Sequence, residues 1–285
     1  MTRTCVLAAI YLAAVATASF AQSRPAGDCG EVVTIPTLDR TTTRYAFTRP
    51  AAPQGETIAV VLLPGGGGHL DLASKGCPRA LKGNSLVRSI PVFNELGLAA
   101  ALVDSPSDLA GEDGLAGFRS STKHAEDLGR VIEDVRARTK GPVWVIGTSR
   151  GTISAANVAS RPAGPAAPDG VVLTSALTVG SQSRQRPWLS QTVFDLPLEK
   201  IRVPVLVVGH AADTCLRSPA TMMTRVADQT NGVRKQVVTV TGGPGLPAGS
   251  QSSIDACVGR SPHGFIEQEA EVAAGIARFI RGGQY

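Results

Sequence analysis

Short apolar runs alternate with helical patterns along most of this chain, and this alternation constrains its fold more than any other feature. The runs are rich in valine, isoleucine and leucine, as expected of strands that are covered on both faces. We predict such strands at residues 57–63, 98–103, 142–146, 170–174, 203–209 and 235–241. Helical patterns occupy residues 84–96, 120–138, 152–159, 221–229 and 266–281. The alternation predicts an α/β fold with a mostly parallel, doubly wound sheet flanked by helices.

The N-terminal part of this domain has a different pattern. Residues 31–36 and 42–48 alternate between apolar and polar side chains, which is typical of strands at a sheet edge. We predict an antiparallel hairpin here, which brings the sheet to about eight strands. No internal repeat or domain linker is evident, so residues 22–285 are expected to form a single domain.

The first residues resemble an export signal. Arg3 precedes an apolar run over residues 6–20, and Ser19 and Ala21 are small residues at the two positions that a signal peptidase reads. We therefore predict a signal peptide over residues 1–21, cleaved after Ala21, and a periplasmic or secreted protein. The alternative is a membrane anchor, which the short, alanine-rich run disfavours. No later stretch approaches membrane-spanning length, so stable membrane insertion is not expected.

The charge of the chain excludes one class of partner. The formal net charge is +5, from 28 basic and 23 acidic residues, and the basic residues are scattered rather than clustered. A mild, scattered excess favours solubility but provides no nucleic-acid site. The sequence says nothing about the oligomeric state.

Four cysteines remain after the predicted signal peptide: Cys29, Cys77, Cys215 and Cys257. An even number in an oxidising compartment predicts two disulfides, and three pairings are possible. A metal site is the competing interpretation, but the cysteines lack CxxC spacing and no histidine lies near any pair.

The segment Gly147-Thr148-Ser149-Arg150-Gly151 connects a predicted strand to a predicted helix. A sharp turn at Ser149 would bring bulky residues two positions before and after it into contact, and the two glycines remove that clash. The hydroxyl of Ser149 would then project above the end of the strand, where the helix directs its free N–H groups. The pattern predicts a nucleophilic serine.

A serine nucleophile needs a base, and the base usually needs a carboxylate to orient it. His263 lies after the last predicted strand and before the last helix, and Asp213 directly follows a buried strand. The chain order is therefore Ser149, Asp213, His263. GTSRG resembles the GxSxG signature of the α/β-hydrolase superfamily, and this order is the one in which that superfamily presents its triad.

The resemblance also implies an oxyanion hole. One N–H donor should come from Arg150, immediately after the nucleophile, and another from the PGGGGH segment that follows the strand at residues 57–63. Proline replaces the usual first histidine of this segment, so either Gly66, our first choice, or Gly67 could be the second donor. A phosphate-binding loop is the alternative, but neither GxxxxGK[ST] nor GxGxxG is present.

The predicted triad bears on the cysteine pairing. Cys215 is two residues after Asp213, and Cys257 is six residues before His263, so a bond between them would link the two loops. Several secreted esterases of the superfamily carry a disulfide in this region, which supports the same pairing. We therefore favour Cys215 with Cys257, and Cys29 with Cys77.

Other polar residues have less specific interpretations. His69 could contact substrate or brace the glycine loop, and for Asp104 we favour a cap on the following turn. His124 is expected to be structural. His210 and Asp213 form a two-ligand pair without a third ligand, so no metal site is predicted. For the side chain of Arg150, an ion pair is favoured over a contact with an acidic substrate, and for Trp188 packing is favoured over a substrate wall.

Together these features predict a serine hydrolase that cleaves a carboxylic ester, or an amide, through an acyl-enzyme and without a cofactor. The match to the superfamily runs from about Thr57 to the C-terminus and resembles compact, cap-less, dienelactone-hydrolase-like members. The substrate would be a small or polymeric ester. An acyltransferase or a peptidase could use the same triad, and a non-catalytic binding protein could share the fold.

Overall fold

The computed structural model describes residues 28–51, 56–161, 163–245 and 251–285, and a sheet of eight strands lies at its centre. The strands are β1 (Glu31–Pro36), β2 (Thr42–Thr48), β3 (Thr57–Leu63), β4 (Ala99–Val103), β5 (Lys140–Thr148), β6 (Gly170–Thr174), β7 (Val205–His210) and β8 (Lys235–Val240). Each corresponds to a predicted strand. The predicted signal peptide, residues 1–21, lies outside the described residues.

The strands follow the spatial order β1-β2-β4-β3-β5-β6-β7-β8. β2 is antiparallel to both β1 and β4, whereas all neighbours from β4 to β8 are parallel. The prediction of a mostly parallel sheet with an N-terminal antiparallel hairpin is confirmed. The carboxyl ends of β3 to β8 all lie at one edge of the sheet, which we call the carboxyl edge.

Helices cover both faces of the sheet. They are α1 (Ser85–Glu95), α2 (Thr122–Thr139), α3 (Gly151–Ser160), α4 (Met223–Asp228) and α5 (Glu269–Ile280). Leu128 of α2, Ile153 of α3 and Val226 of α4 belong to one buried apolar cluster. Phe93 of α1 and Ile276 of α5 belong to a second cluster. Side chains that alternate along the central strands contribute to both clusters, so the sheet is doubly wound.

Element boundaries differ from the prediction by up to three residues, and the starts of α5 and β5 have a clear physical cause. α5 begins at Glu269 rather than at residue 266, because Phe265 and Glu267 have φ angles of 53° and 61°, which a right-handed helix excludes. β5 begins at Lys140 rather than at residue 142. Lys140 has φ 59° and turns the chain directly from the end of α2 into the strand.

Both predicted disulfides are present: Cys29 pairs with Cys77, and Cys215 with Cys257. The first bond ties the residues before β1 to the loop after β3, and the second joins the loops after β7 and β8. Two disulfides are consistent with an oxidising compartment outside the cytoplasm. None of the helices in the described ranges is both long and apolar enough to cross a membrane.

Candidate active site

Ser149 lies at a sharp turn between β5 and α3. Its φ is 51°, a left-handed conformation that non-glycine residues rarely adopt. Its N–H donates to the carbonyl oxygen of Thr174 on the neighbouring strand, at 3.0 Å. A Cβ on Gly147 would lie 2.4 Å from the carbonyl oxygen of Gly151, and a Cβ on Gly151 would lie 2.0 Å from that of Leu63. The turn therefore requires glycine on both sides of the serine, as predicted.

The glycine loop after β3 packs directly against this turn. A Cβ on Gly65 would lie 2.9 Å from the Cβ of Ser149 and 3.5 Å from its Oγ. Gly66 has φ 58°, a conformation that favours glycine. A Cβ on Gly67 would lie 2.1 Å from the carbonyl oxygen of Glu112, so the loop is also in close contact with residues before α2. Sequence reasoning missed Gly65, the glycine in closest contact with Ser149.

Several backbone N–H groups near Ser149 are free, and that of Gly67, like those of Arg150 and Gly66, donates to no described residue. Within the described part of the chain, neither Arg150 nor Gly66 uses its backbone N–H in a hydrogen bond. Arg150 precedes the first residue of α3, where N–H groups lack partners within the helix. Free backbone donors beside a serine can stabilise negative charge on a substrate oxygen.

Asp213 and His263 form a buried, hydrogen-bonded pair at the carboxyl edge. Nδ1 of His263 donates to Oδ2 of Asp213 at 2.8 Å, and the two side chains are only 4% and 1% exposed. Oδ1 of Asp213 accepts from the N–H of Cys215 at 2.8 Å, which fixes the carboxylate. Because Nδ1 carries the proton, Nε2 is left as the basic atom of the ring. Nε2 is buried, and no described residue is its hydrogen-bond partner.

The end of β6 lies between Ser149 and His263. Thr174 accepts the N–H of Ser149, and the next residue, Ser175, donates its hydroxyl to the carbonyl oxygen of His263 at 2.8 Å. Ser175 is fully buried and has φ 44°. The structure therefore brings the serine turn and the Asp213–His263 pair to the same place. Oγ of Ser149 makes no hydrogen bond to His263 in this arrangement.

The loops that carry Asp213 and His263 are linked by more than the Cys215–Cys257 disulfide. The N–H of Ser253 donates to the carbonyl oxygen of Thr214, and the N–H of Leu216 donates to that of Ser253. We call the loop after β7, which carries Asp213, the acid loop, and the loop after β8, which carries His263, the base loop. The two loops thus form one cross-linked unit.

His69 and Asp104 belong to the support of the glycine loop. Asp104 accepts the N–H groups of Leu70, at 2.6 Å, and Leu72, at 3.1 Å, as well as that of Ser105. The cap on the following turn is therefore accompanied by two bonds to the loop after β3, which was not predicted. Nδ1 of His69 lies 3.0 Å from Oγ of Ser105 and 3.4 Å from Asp104. These contacts fit the loop-bracing interpretation.

The other two histidines have structural partners. Nδ1 of His210 accepts from the N–H of Ala212, and its Nε2 lies 2.8 Å from Oε1 of Gln268. Both nitrogens of His210 are therefore engaged. Nε2 of His124 lies 2.9 Å from Oγ of Ser154 in α3. Burial, followed by the charge of Arg119, lowers the pKa of His124 to about 3.

Asp213, Cys215 and His263 lie close enough together to suggest a metal site. The sulfur of Cys215 is bonded to Cys257, however, and Nδ1 of His263 donates to Asp213. A disulfide sulfur is not the thiolate that metal ions bind in proteins. This cluster is accounted for by the disulfide and the hydrogen bond.

Arg119 is a residue that the sequence gave no reason to single out. It is 1% exposed, and its Nη2 donates to the carbonyl oxygens of Pro64, at 3.1 Å, and Gly66, at 3.2 Å. Its Nη1 donates to Oγ of Ser154 at 2.8 Å. Arg119 thus connects the glycine loop to α3 by hydrogen bonds. Its only sequence signal is a charged residue just before the clearest helix, which is more often a solvated position.

The fold was compared with those of known proteins. No protein-family model matches the chain, and the comparison with curated proteins gave no match. A thermophilic esterase from the Planctomycetes species Thermogutta terrifontis is 17% identical over 88% of this chain and 92% of that one, with a TM-score of 0.58. A dienelactone hydrolase from Anabaena variabilis is 15% identical over 89% and 97%, with a TM-score of 0.55. An alpha-beta serine hydrolase homologue from Coxiella burnetii is 16% identical over 88% and 97%, also with a TM-score of 0.55.

The chain has the α/β-hydrolase fold. At these identities the likeness shows the fold, which this chain shares with esterases and other hydrolases across nearly its whole length. In this α/β-hydrolase fold, Ser149 follows β5, Asp213 follows β7 and His263 follows β8. All three lie at the carboxyl edge, where open α/β sheets hold their ligands.

Exposed apolar side chains occur on the loops that follow β6, β7 and β8. Five large apolar side chains are exposed in the described part of the chain: Val179, Leu216, Val233, Ile254 and Val258. All except Val233 lie on the segments that surround the Asp213–His263 pair.

Proposed function

We propose that the protein is a serine hydrolase that cleaves carboxylic esters through an acyl-enzyme, with Ser149, His263 and Asp213 as its catalytic triad. The buried, unpartnered Nε2 of His263 carries this proposal, because Nδ1 is held by Asp213 and the ring lies across the end of β6 from Ser149. A buried ring nitrogen without a partner is costly unless it exchanges a proton with a substrate or nucleophile.

The mechanism follows from the roles of these atoms. Oγ of Ser149 attacks the carbonyl carbon of the ester, and Nε2 of His263 takes the hydroxyl proton. The carbon–oxygen bond to the alcohol then breaks, and the imidazolium returns the proton to the leaving alcohol. Water attacks the resulting acyl-enzyme with His263 as base, which releases the acid and regenerates Ser149. Asp213 keeps the proton of the neutral imidazole on Nδ1 and stabilises the imidazolium.

The negative charge on the carbonyl oxygen needs fixed donors. We assign them to the backbone N–H groups of Arg150 and Gly66, with Gly67 as the second choice in the glycine loop. The free N–H groups of Arg150 and Gly66, and the contact of the loop with Ser149, support this assignment.

The test combines covalent labelling with ester turnover. A fluorophosphonate probe should label the wild-type protein, and nitrophenyl esters of increasing acyl length should be hydrolysed. Ser149→Ala should abolish labelling and lower kcat by at least about a thousandfold. Ser74→Ala, which alters an exposed serine in the loop after β3, is the matched control and should retain both activities.

Each other outcome assigns a different function. A folded wild-type protein that neither reacts with the probe nor hydrolyses any ester would contradict the proposal and favour a binding protein. Product release that increases with an added alcohol or amine acceptor, with the acceptor recovered as ester or amide, would identify an acyltransferase. Cleavage of peptides in preference to esters would identify a peptidase.

A further inference from the structure

Three arginines near Ser149 have no carboxylate partner. They are Arg119, Arg150 and Arg217, and no Asp or Glu oxygen of the described residues lies within 4.0 Å of their guanidinium nitrogens. The remaining residues of the chain include no Asp or Glu, so they cannot supply one. The ion pair expected for Arg150 is therefore absent.

Some partly buried arginines elsewhere in the described residues are neutralised, whereas Arg44 and Arg234 donate only to backbone carbonyl oxygens. Arg88 pairs with Glu269 at 2.7 Å, and Arg138 pairs with Asp134 at 2.8 Å. This is the usual arrangement, because an unpaired buried charge is costly. Arg119 and Arg217 are the two buried arginines among the described residues, and neither has a carboxylate partner.

The guanidinium group of Arg150 makes few hydrogen bonds. Its Nη2 makes one long contact, of 3.4 Å, with the carbonyl oxygen of Ala116, and its Nη1 is buried without any hydrogen-bond partner in the described part of the chain. Burial lowers the pKa of Arg150, the positive charge of Arg217 lowers it further, and Asp113 acts in the opposite direction. Asp113 itself lies 3.5 Å from the exposed Arg186.

Arg217 approaches from the acid loop. It is 8% exposed, and its Nε donates to the carbonyl oxygen of Val179 at 2.7 Å, while its Nη2 donates to that of Leu189. Its Nη1 donates to no atom of the described residues. The segment that Arg217 contacts also reaches the serine turn, because the N–H of Leu177 donates to the hydroxyl of Thr152 in the first turn of α3. Arg217 therefore contacts the loop after β6, which is itself bonded to the first turn of α3, and the charge of Arg217 acts on Arg150.

The charge of Arg150 is also repelled by those of Arg119 and Arg217. Burial, and then the charge of Arg150, lowers the pKa of Arg119 to about 9. Neutral carbonyl groups can accept hydrogen bonds from these guanidinium groups, but they do not cancel the charge. The fold thus places positive charge next to Ser149 with no carboxylate in contact with it, and an anion at this place would reduce the repulsion and supply the missing hydrogen-bond acceptors.

We propose that Arg150 and Arg217 form a subsite for a carboxylate group of the substrate, so that the preferred substrates are esters carrying a negative charge near the scissile bond. The free Nη1 groups of both residues donate to the carboxylate, and Arg119 adds to the positive potential without contacting it. This inference rests on the proposed function, since it requires Ser149 to be the nucleophile.

The test compares esters that differ only in charge. The mono-4-nitrophenyl ester of glutaric acid is matched with its methyl ester, which places the charge on the acyl side. 4-Acetoxybenzoate is matched with methyl 4-acetoxybenzoate, which places the charge on the alcohol side. We expect at least one charged ester to exceed its neutral partner in kcat/KM by about tenfold to a hundredfold, as charge-assisted hydrogen bonds allow. The ratio should fall as the salt concentration rises.

Variants assign the effect to the two arginines. Arg217→Gln and Arg150→Gln should each reduce the ratio of charged to neutral kcat/KM by about tenfold, mainly through KM. Arg217→Lys keeps the charge but loses the planar fork, so it should retain part of the ratio. Arg202→Gln removes a charge at the opposite end of β7 and is the matched control, which should keep the wild-type ratio.

A second readout does not depend on any variant. Glutarate should inhibit the wild-type protein competitively, at least about tenfold more strongly than its uncharged diamide, glutaramide. If one of the variants does not fold, this comparison and the salt dependence decide the question. Hydrolysis of neutral esters with no preference for charge and no inhibition by glutarate would overturn the subsite but leave the proposed function standing. Absence of all ester turnover and of probe labelling would contradict the proposed function itself.

Discussion

Ser149 adopts a backbone conformation that a residue with a side chain rarely holds, and the packing around it explains how the fold maintains it. The turn is fixed by the hydrogen bond to Thr174 and by close contacts at Gly65, Gly147 and Gly151. Strained residues of this kind persist only where their surroundings determine them fully. The position of the Ser149 hydroxyl therefore depends on these glycines, because a side chain at any of them would clash with the backbone or with Ser149.

Gly151→Ala tests this packing directly. The added Cβ would lie 2.0 Å from the carbonyl oxygen of Leu63, so β3 and α3 must move apart. We expect the free energy of unfolding in urea to fall by about 3 kcal/mol, together with a loss of ester hydrolysis in the folded fraction. Gly83→Ala is the control, because its Cβ would meet nothing nearer than Arg260 at 3.6 Å. Equal stability of the two variants would show that the turn tolerates a side chain.

His124 should make stability depend on pH. Its folded pKa is lowered to about 3 by burial and by the charge of Arg119, against 6.5 in the unfolded chain. Between these values the unfolded state binds the extra proton, so this contribution to stability is present above about pH 6.5 and is lost as the pH falls. Urea unfolding at about pH 7, 6 and 5 should show a loss of up to about 1.4 kcal/mol per unit below pH 6.5. His124→Asn should remove that part of the slope, and identical slopes would contradict the assignment.

At the level of the elements, the acid loop and the base loop act as one unit. Neither loop belongs to the sheet, and each follows the carboxyl end of a strand. The Cys215–Cys257 bond, with the backbone bonds at Thr214 and Leu216, holds Asp213 and His263 in register. Catalytic geometry tolerates little misplacement, so this linkage should matter more for rate than for folding.

The two disulfides provide a matched comparison. They close loops of similar sequence separation, 42 and 48 residues, so each should contribute about 4 kcal/mol to stability in the chain-entropy model. We expect the variant with Cys215→Ala and Cys257→Ala to lose at least about tenfold in kcat while it remains folded. The variant with Cys29→Ala and Cys77→Ala should lose stability but retain kcat. Circular dichroism identifies the folded range, and full activity of the first variant would contradict this role of its disulfide.

Much of the architecture could be predicted because it depends on local patterns. Apolar runs identify the strands, and the glycines at positions 147 and 151 identify a sharp turn without knowledge of what they touch. The cysteine pairing followed from their positions beside Asp213 and His263. The alternation of strands and helices also predicts parallel strands, so the residues that follow them meet at one edge of the sheet.

Long-range polar partners could not be predicted in the same way. Arg119 contacts Pro64, Gly66 and Ser154, which are 55, 53 and 35 residues away in the sequence. No periodicity signals such a contact, because only the assembled sheet creates it. The absence of a carboxylate beside Arg150 likewise depends on which residues the assembled fold places around it. The start of α5 was misplaced because positive φ angles at Phe265 and Glu267 leave no trace in the side-chain pattern.

For the molecule as a whole, the antiparallel N-terminal strands must be attached to the parallel part of the sheet and to its helices. Tyr45 of β2 donates its hydroxyl to Asp134 of α2, which also accepts from Arg138 at 2.8 Å. Arg138 in turn pairs with Glu31 of β1 at 3.0 Å. Burial, and then the bond to Asp134, raises the pKa of Tyr45, so its hydroxyl stays protonated and remains a donor. One network thus joins β1, β2 and α2.

Tyr45→Phe measures the strength of this attachment. Removal of the hydroxyl leaves Asp134 with one donor fewer, and we expect the free energy of unfolding to fall by about 1–2 kcal/mol. Tyr285→Phe is the control, because the hydroxyl of Tyr285 is buried with no hydrogen-bond partner among the described residues. That substitution should be neutral or slightly stabilising in the same urea titration. Equal losses would show that the Asp134 bond has no net effect.

Under the proposed function, the link between the acid loop and the base loop makes catalytic competence depend on when the two thiols are oxidised. A chain kept in a reducing environment could complete its sheet and both apolar clusters while Asp213 and His263 remained on loops without a covalent tether. Such a chain would show the circular dichroism of a folded protein and still be a poor catalyst. Oxidation after synthesis would then act as the final step of maturation, so the activity of a purified sample would report its thiol history as well as its sequence.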